Sequence, residues 1–537
     1  MKKESIDIEI KNLIDRSKKF IVFTILITLF SSSVIIIVPI LVNYYIEYRF
    51  AEEYMFIILL LIISVVSFIF QLVLTILREK FSVNFNIKNS IQMYKTMFKM
   101  KYDELNNYGP SYLVDRIAIA VNSIYLYICS SLTALISNIV IILAAIITII
   151  FFSPIVSLLL FIIVPINYFG MKLINKNLYK KSVDLQETCG KNYRNIIGLV
   201  TNPDFIKQNS YNSDLVEYIE DPLINVFKKT ADVNKYGQVS SSIVSSINIL
   251  IQNIVIVILG ISFYGDIIEV NSLILVSMLL PIFFNSLNGF VNSEIEMKDF
   301  RASYAFYKEI KSKTELDGEI ELKEVINIDV LKNKYEIHEK IVEINENYHF
   351  VKGDIVYLSG ESGAGKSTIL KLFPRFRDSD FIKINGLDTS RYSLETLRNK
   401  ISYVSQDATI LPISLRKNLV FGVDIKSEEE LKKIIDSEIL KPIFKNKELE
   451  TLINEKGSNL SGGEKQRIVI ARELLKTRDV IIFDESTNSI DNNYSNLIFN
   501  NIISKFHEKI VIIVSHNEII RSYCNKEMKL SIQEKEI

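Results

Sequence analysis

The run Asp354-Ile-Val-Tyr-Leu-Ser359, continuing as Gly360-Glu-Ser-Gly-Ala-Gly-Lys-Ser-Thr368 and then Ile369-Leu370-Lys371-Leu372, decides the fold of the C-terminal part of this chain. A β-branched strand enters a full G-x-x-x-x-G-K-[ST] loop that opens into a helix, the context this motif requires. Glycines 360, 363 and 365 let the backbone curl around phosphate oxygens, with Ser362, Ala364 and Thr368 completing the cradle. Lys366 is placed to reach the β and γ phosphates, and Ser367 to ligate Mg²⁺.

Downstream, Val480-Ile-Ile-Phe483 reads as a buried strand ending in Asp484-Glu485. Such a carboxylate pair divides the work: Asp484 for the Mg²⁺ shell, Glu485 to orient and polarise an attacking water. Alone, the pair reads equally well as a solvated strand end; a phosphate loop upstream tips the balance. A third strand, Ile510-Val-Ile-Ile-Val514, ends in Ser515-His516 and would bring His516 to the same carboxyl edge of a parallel sheet.

Working outward, residues 20–46, 55–77, 117–171, 236–265 and 270–293 contain no Asp, Glu, Lys or Arg. A helix crosses the hydrocarbon core in about 20 residues, so the 55-residue run 117–171 holds two spans, turning at Pro154, and the total is six. The spans are expected at about 20–46, 55–77, 119–152, 154–174, 240–265 and 270–293. Six Lys and Arg precede the first span, seven lie in 78–116 and ten in 172–235, against Arg49 alone in the opposite loops, which places both termini in the cytoplasm. The resulting division is a membrane domain over 1–310, a Lys- and Glu-rich linker over 311–325 and an α/β domain over 326–537.

The chain has 537 residues, too many for one ordinary domain, with 62 Lys+Arg balancing 62 Asp+Glu. There is no global basic footprint, so no nucleic-acid partner is expected. Cys129, Cys189 and Cys524 are widely spaced and His338, His349, His507 and His516 do not cluster, so neither disulfides nor a zinc site is expected.

Leu460-Ser-Gly-Gly-Glu-Lys-Gln-Arg467 lies between the phosphate loop and the Asp484-Glu485 strand, and it resembles the signature of ATP-binding cassette (ABC) ATPases. Six spans followed by one cassette look like an exporter-type half-transporter, so the resemblance covers nearly the whole chain. It implies ATP and Mg²⁺ as cofactors, Gln406 as the Q-loop residue contacting Mg²⁺, and His516 as the switch histidine. It further implies Tyr335, 25 residues before Gly360, as the adenine-stacking aromatic, and Asp491 as the D-loop aspartate. Ser461, Gly462 and Gly463 would contact nucleotide held by a second cassette, which implies a homodimer or a heterodimer with another half-transporter. Tyr102–Arg116 and Gly198–Tyr211 resemble the exporters' coupling regions. The chain departs from the pattern at Glu464, where glutamine is usual, and at Leu452, where the X-loop carries an early Glu; the segment from Gly422 to Leu460 is short.

The spans carry no fixed charge, while Asn138, Asn167, Asn248, Gln252, Asn253, Asn285 and Asn288 offer amides, mostly for interhelical bonding. Such a lining suits amphipathic cargo: a peptide, drug or lipid. The Ile-, Asn- and Lys-rich composition points to an AT-rich bacterium and its cytoplasmic membrane. A rival reading is a nucleotide-dependent membrane regulator or immunity factor that binds a peptide or partner without transporting it.

Overall fold

Long apolar runs free of charge form helices that outlast the bilayer. The computed structural model describes residues 4–48, 53–337, 340–423, 428–476, 478–486 and 508–534, and divides into two compact units. One comprises Met1–Met100 and Glu104–Thr314, the other Lys101–Asp103 and Glu315–Ile537.

The described residues of the first unit form helices and no strand pairs: α1 (Glu4–Tyr48), α2 (Glu53–Phe98), α3 (Tyr102–Tyr108, whose first two residues fall in the second unit), α4 (Pro110–Leu126), α5 (Leu132–Phe152), α6 (Pro154–Val200), α7 (Pro203–Asn209), α8 (Ser213–Tyr264) and α9 (Val270–Ser312). Among the described residues, six continuous helical stretches are long and apolar enough to cross a membrane, with α4 and α5 counting as one through the π-turn Tyr127–Ser131. At 1.5 Å per residue the 52-residue α8 is about 78 Å long, well beyond a hydrocarbon core of about 30 Å. Between α5 and α6 the chain breaks at Ser153 (φ −152°, ψ 89°), and Pro154 opens the next helix, where its missing N–H costs nothing. Buried amides tie the bundle together. Asn248 donates to Asn288 Oδ1 (2.8 Å) and to Asn167 Oδ1 (3.2 Å), and Asn167 donates back to Asn248 (3.1 Å), linking α6, α8 and α9.

The second unit is α/β. Its central sheet is parallel throughout, in the order β11 (Lys526–Lys529), β5 (Ile355–Ser359), β10 (Ile510–Val514), β9 (Val480–Asp484), β8 (Ile401–Val404). β9 and β10 are buried on both faces, which is why they read as unbroken apolar runs rather than alternating ones. Val480, Ile482, Ile510 and Ile512 pack into one core; Ile481, Phe483, Val511 and Ile513 into another. Two antiparallel sheets accompany it: β4 (Tyr348–Val351), β1 (Asn327–Val330), β6 (Ile382–Ile384), β7 (Leu387–Asp388), and β12 (Ser531–Glu534), β3 (Lys340–Ile344), β2 (Asn333–Ile337). The loop after β5 leads into α10 (Lys366–Leu370), and α11 (Gly462–Leu475) follows the signature. The architecture is that of a six-helix membrane domain followed by a P-loop cassette.

Candidate functional site: a phosphate loop facing a carboxylate pair

Parallel strands end on a common edge, so the residues following β5, β8, β9 and β10 gather at the carboxyl side of the central sheet. The loop after β5 turns through left-handed backbone at Gly363 (φ 79°) and Gly365 (φ 73°), conformations a side chain would oppose. Lys366 curls back so that its Nζ donates to the carbonyls of Gly360 (2.8 Å) and Glu361 (2.9 Å). The backbone N–H groups of Gly365, Lys366 and Ser367 engage no acceptor among the described residues, and these are the donors an anion would meet.

Two hydrogen-bonded groups converge opposite this loop. In one, Ser367 Oγ donates to Asp484 Oδ1 (2.9 Å) and Tyr403 Oη donates to Asp484 Oδ2 (2.6 Å). Burial first, then the Asp484 carboxylate, pushes the Tyr403 phenol above its ordinary value and keeps it a donor. In the other, Gln406 Nε2 donates to Glu485 Oε2 (3.2 Å), and His516 Nε2 lies 3.1 Å from Glu485 Oε1. Glu485 sits at φ 50° with its N–H bonded to Val514 O (3.0 Å), so the backbone departs from the strand at the residue that presents the carboxylate. Tyr357 Oη holds Ser515 O (2.7 Å), fixing the backbone just before His516. A hydroxyl beside a buried carboxylate is an all-oxygen donor set, which fits a hard cation such as Mg²⁺. Gln406 is turned toward Glu485 rather than toward that pair.

The signature forms a separate cluster. Ser461 caps α11, its Oγ accepting from Glu464 N–H (3.2 Å) while Glu464 Oε2 accepts from Ser461 N–H (2.7 Å). The residue that departs from the family pattern thus closes the capping box, and Lys447 Nζ holds its other oxygen at 2.7 Å. Gly462 and Gly463 form the first turn. Tyr335 lies on β2 with its ring edge-to-face on Phe381 (5.8 Å), partly buried against the core, and Arg377 is its foremost charged neighbour. Asp491 lies outside the described residues. Tyr403 and Lys447 went unremarked as partners in the sequence, because each meets its carboxylate only through the fold.

Residues 345–488 match the ABC transporter family, and residues 19–287 match the ABC transporter transmembrane region. The chain belongs to the ABC transporters. It joins membrane domain and cassette in one polypeptide, the half-transporter arrangement of ABC exporters, and is a multi-pass membrane protein. Several relatives share sequence with this ABC transporter. The mitochondrial iron-sulfur clusters transporter ATM1 of Candida glabrata is 33% identical over 212 residues, 38% of this chain and 28% of that one. An ATP-dependent lipid A-core flippase of Vibrio vulnificus is 32% identical over 196 residues, 36% of this chain and 34% of that one. The lactococcin-G-processing and transport ATP-binding protein LagD of Lactococcus lactis is 28% identical over 337 residues, 59% of this chain and 47% of that one. The chain therefore matches less than half the length of each of these relatives. A bacterial Atm1-family ABC exporter solved with ATP bound shares the fold, with a TM-score of 0.84 at 17% identity over 97% of this chain and 95% of that one.

Proposed function

We propose that this ABC transporter is one half of an ATP-driven exporter that moves an amphipathic peptide, drug or lipid across a bacterial cytoplasmic membrane, with both termini cytoplasmic. The observation that carries the reading is Glu485, gripped between Gln406 and His516 beside the Ser367–Asp484 pair. Lys366 and the free N–H groups of the loop receive the β and γ phosphates of ATP. Ser367 and Asp484 are the residues that would hold Mg²⁺, joined by Gln406 if it turns from Glu485, and the ion would offset phosphate charge. Glu485 orients the attacking water and accepts its proton. Gln406 and His516 bind opposite oxygens of that carboxylate, so its rotation is set from both sides. Tyr335, edge-to-face with Phe381, is the aromatic that stacks on adenine.

As the ABC signature implies, Ser461, Gly462 and Gly463 act with Asp491 on nucleotide held by a second cassette. Two copies, or this chain and a different half-transporter, would pair head to tail, and ATP would bias the pair toward the closed state. ATP hydrolysis by the purified chain in lipid, beside Glu485→Gln, tests this. We expect turnover by the unsubstituted chain and a loss of at least about 100-fold in the variant, the scale of a general base. Absence of turnover by the unsubstituted chain would redirect the search to a missing partner half.

A further inference from the structure

The spans carry no charge, yet fixed charge begins where the third charge-free run ends. Lys172, Lys176 and Lys180 follow at four-residue intervals on α6 and so share one face. Together with Arg301 of α9, Tyr168 and Tyr179 they line a cavity of about 530 Å³. Like charges at this spacing destabilise a helix, and the fold does not offset them. Asp184, four residues beyond Lys180, is held by Lys229 at 2.6 Å. Asp299, two residues before Arg301, is reached by Ser182 Oγ (3.3 Å). Lys181 turns instead to the Tyr236 ring, 5.8 Å from its centroid. Arg301 reaches the Met297 sulfur (2.8 Å), and among the described residues no carboxylate pairs with any of the four cations of the cavity.

We propose that this cavity recognises the phosphate-bearing headgroup of a lipid-like amphiphile, with Lys172, Lys176, Lys180 and Arg301 as its cationic contacts. The proposal rests on the exporter reading above and names its substrate class. A lipid-like ligand is favoured over a soluble anion by position. Lys172 is the first charge after a run of 55 uncharged residues, and Ile166, Phe169 and Leu173 on the same helix are 62%, 61% and 73% exposed. Acyl chains can lie on that apolar surface while the headgroup enters the cavity. The lysine ladder rises about 12 Å along α6, enough to meet more than one anionic oxygen group.

The test uses the full chain purified in zwitterionic detergent–lipid mixtures and a fluorescent phosphatidic acid, whose signal no tryptophan obscures since the chain has none. Lys176→Gln with Arg301→Gln is expected to weaken binding about tenfold or more, the loss of charge-assisted contacts, and added salt is expected to weaken it further. Lys176→Arg should bind as the unsubstituted chain does. So should Lys80→Gln, which removes an exposed lysine just beyond the second charge-free run and controls for attraction to any interfacial cation. Equal binding by the double variant, monodisperse on gel filtration, would overturn the proposal. Equal weakening by Lys80→Gln would overturn it too, as would displacement by inorganic phosphate at matched concentration or tighter binding of an acidic peptide. ATP turnover separates the two readings. Glu485-dependent turnover with unaltered lipid binding in the double variant sinks the headgroup site alone; turnover indifferent to Glu485→Gln sinks the exporter reading, whatever the lipid does.

Discussion

Replacing Glu464 by glutamine would preserve the capping geometry at the start of α11 and remove only the charge that Lys447 meets. Burial resists ionisation of Glu464, but Lys447 and the Ser461 N–H outweigh it, so the carboxyl lies below its ordinary value of 4.5. A depressed carboxyl contributes stability that is complete above the ordinary value and lost as pH falls through the folded one. Glu464→Gln should therefore lower thermal stability near neutrality by roughly 1 kcal/mol or less, with the difference shrinking in acid as pH falls past the ordinary carboxyl value and through the lower folded one. Thermal melts near neutrality and in acid check this; a gap that persists in acid would assign the effect to packing. Tyr403→Phe probes the other carboxylate. It leaves buried Asp484 with Ser367 as its remaining hydroxyl donor among the described residues, and we expect ATP turnover to fall by about tenfold, the worth of one strong hydrogen bond, while the chain stays folded by gel filtration.

Among the elements, one substitution made at two glycines should act with opposite signs. A Cβ at Gly260 on α8 meets nothing within 4 Å, whereas at Gly289 on α9 it would stand 2.6 Å from Asn138 Nδ2 of α5. Gly260→Ala should gain up to about 1 kcal/mol from helix propensity; Gly289→Ala should lower the melting temperature because the Asn138 side chain must be displaced from its packed position. Asn248, fully buried at the junction of three helices, should cost about 1 kcal/mol as alanine, near the mean for hydrogen bonds between membrane helices. What the sequence made legible follows the same division. The phosphate loop, the Asp484-Glu485 strand end and the charge-free runs are contiguous, so local pattern suffices to find them. Tyr403 and Asp484 are 81 positions apart and meet only because β8 and β9 are parallel neighbours. Counting 25 residues back from Gly360 selects Tyr335, and strand alternation, with exposed Lys334 and Glu336 flanking it, accounts for its edge contact with Phe381.

For the whole molecule, head-to-tail pairing makes a prediction that neither half of a site can make alone. Lys366→Ala and Ser461→Ala should each abolish turnover in a self-paired chain. Co-expressed, they produce mixed dimers in which one site joins an intact phosphate loop to an intact signature, so ATP hydrolysis should return in part. Failure of the mixture, with both variants shown to co-purify, would sink the head-to-tail arrangement. The π-turn at Tyr127–Ser131 bears on any such comparison of one exporter with another. Each extra residue in a helix advances the angular phase by about 100°. A helical wheel drawn from α4 and extrapolated through the turn would consequently swing Ser137 and Asn138 away from the positions at which Ser137 meets Ser32 and Asn138 crowds Gly289. An ungapped alignment to a relative without that turn would transfer pathway assignments correctly on one side of residue 129 and onto the wrong face on the other.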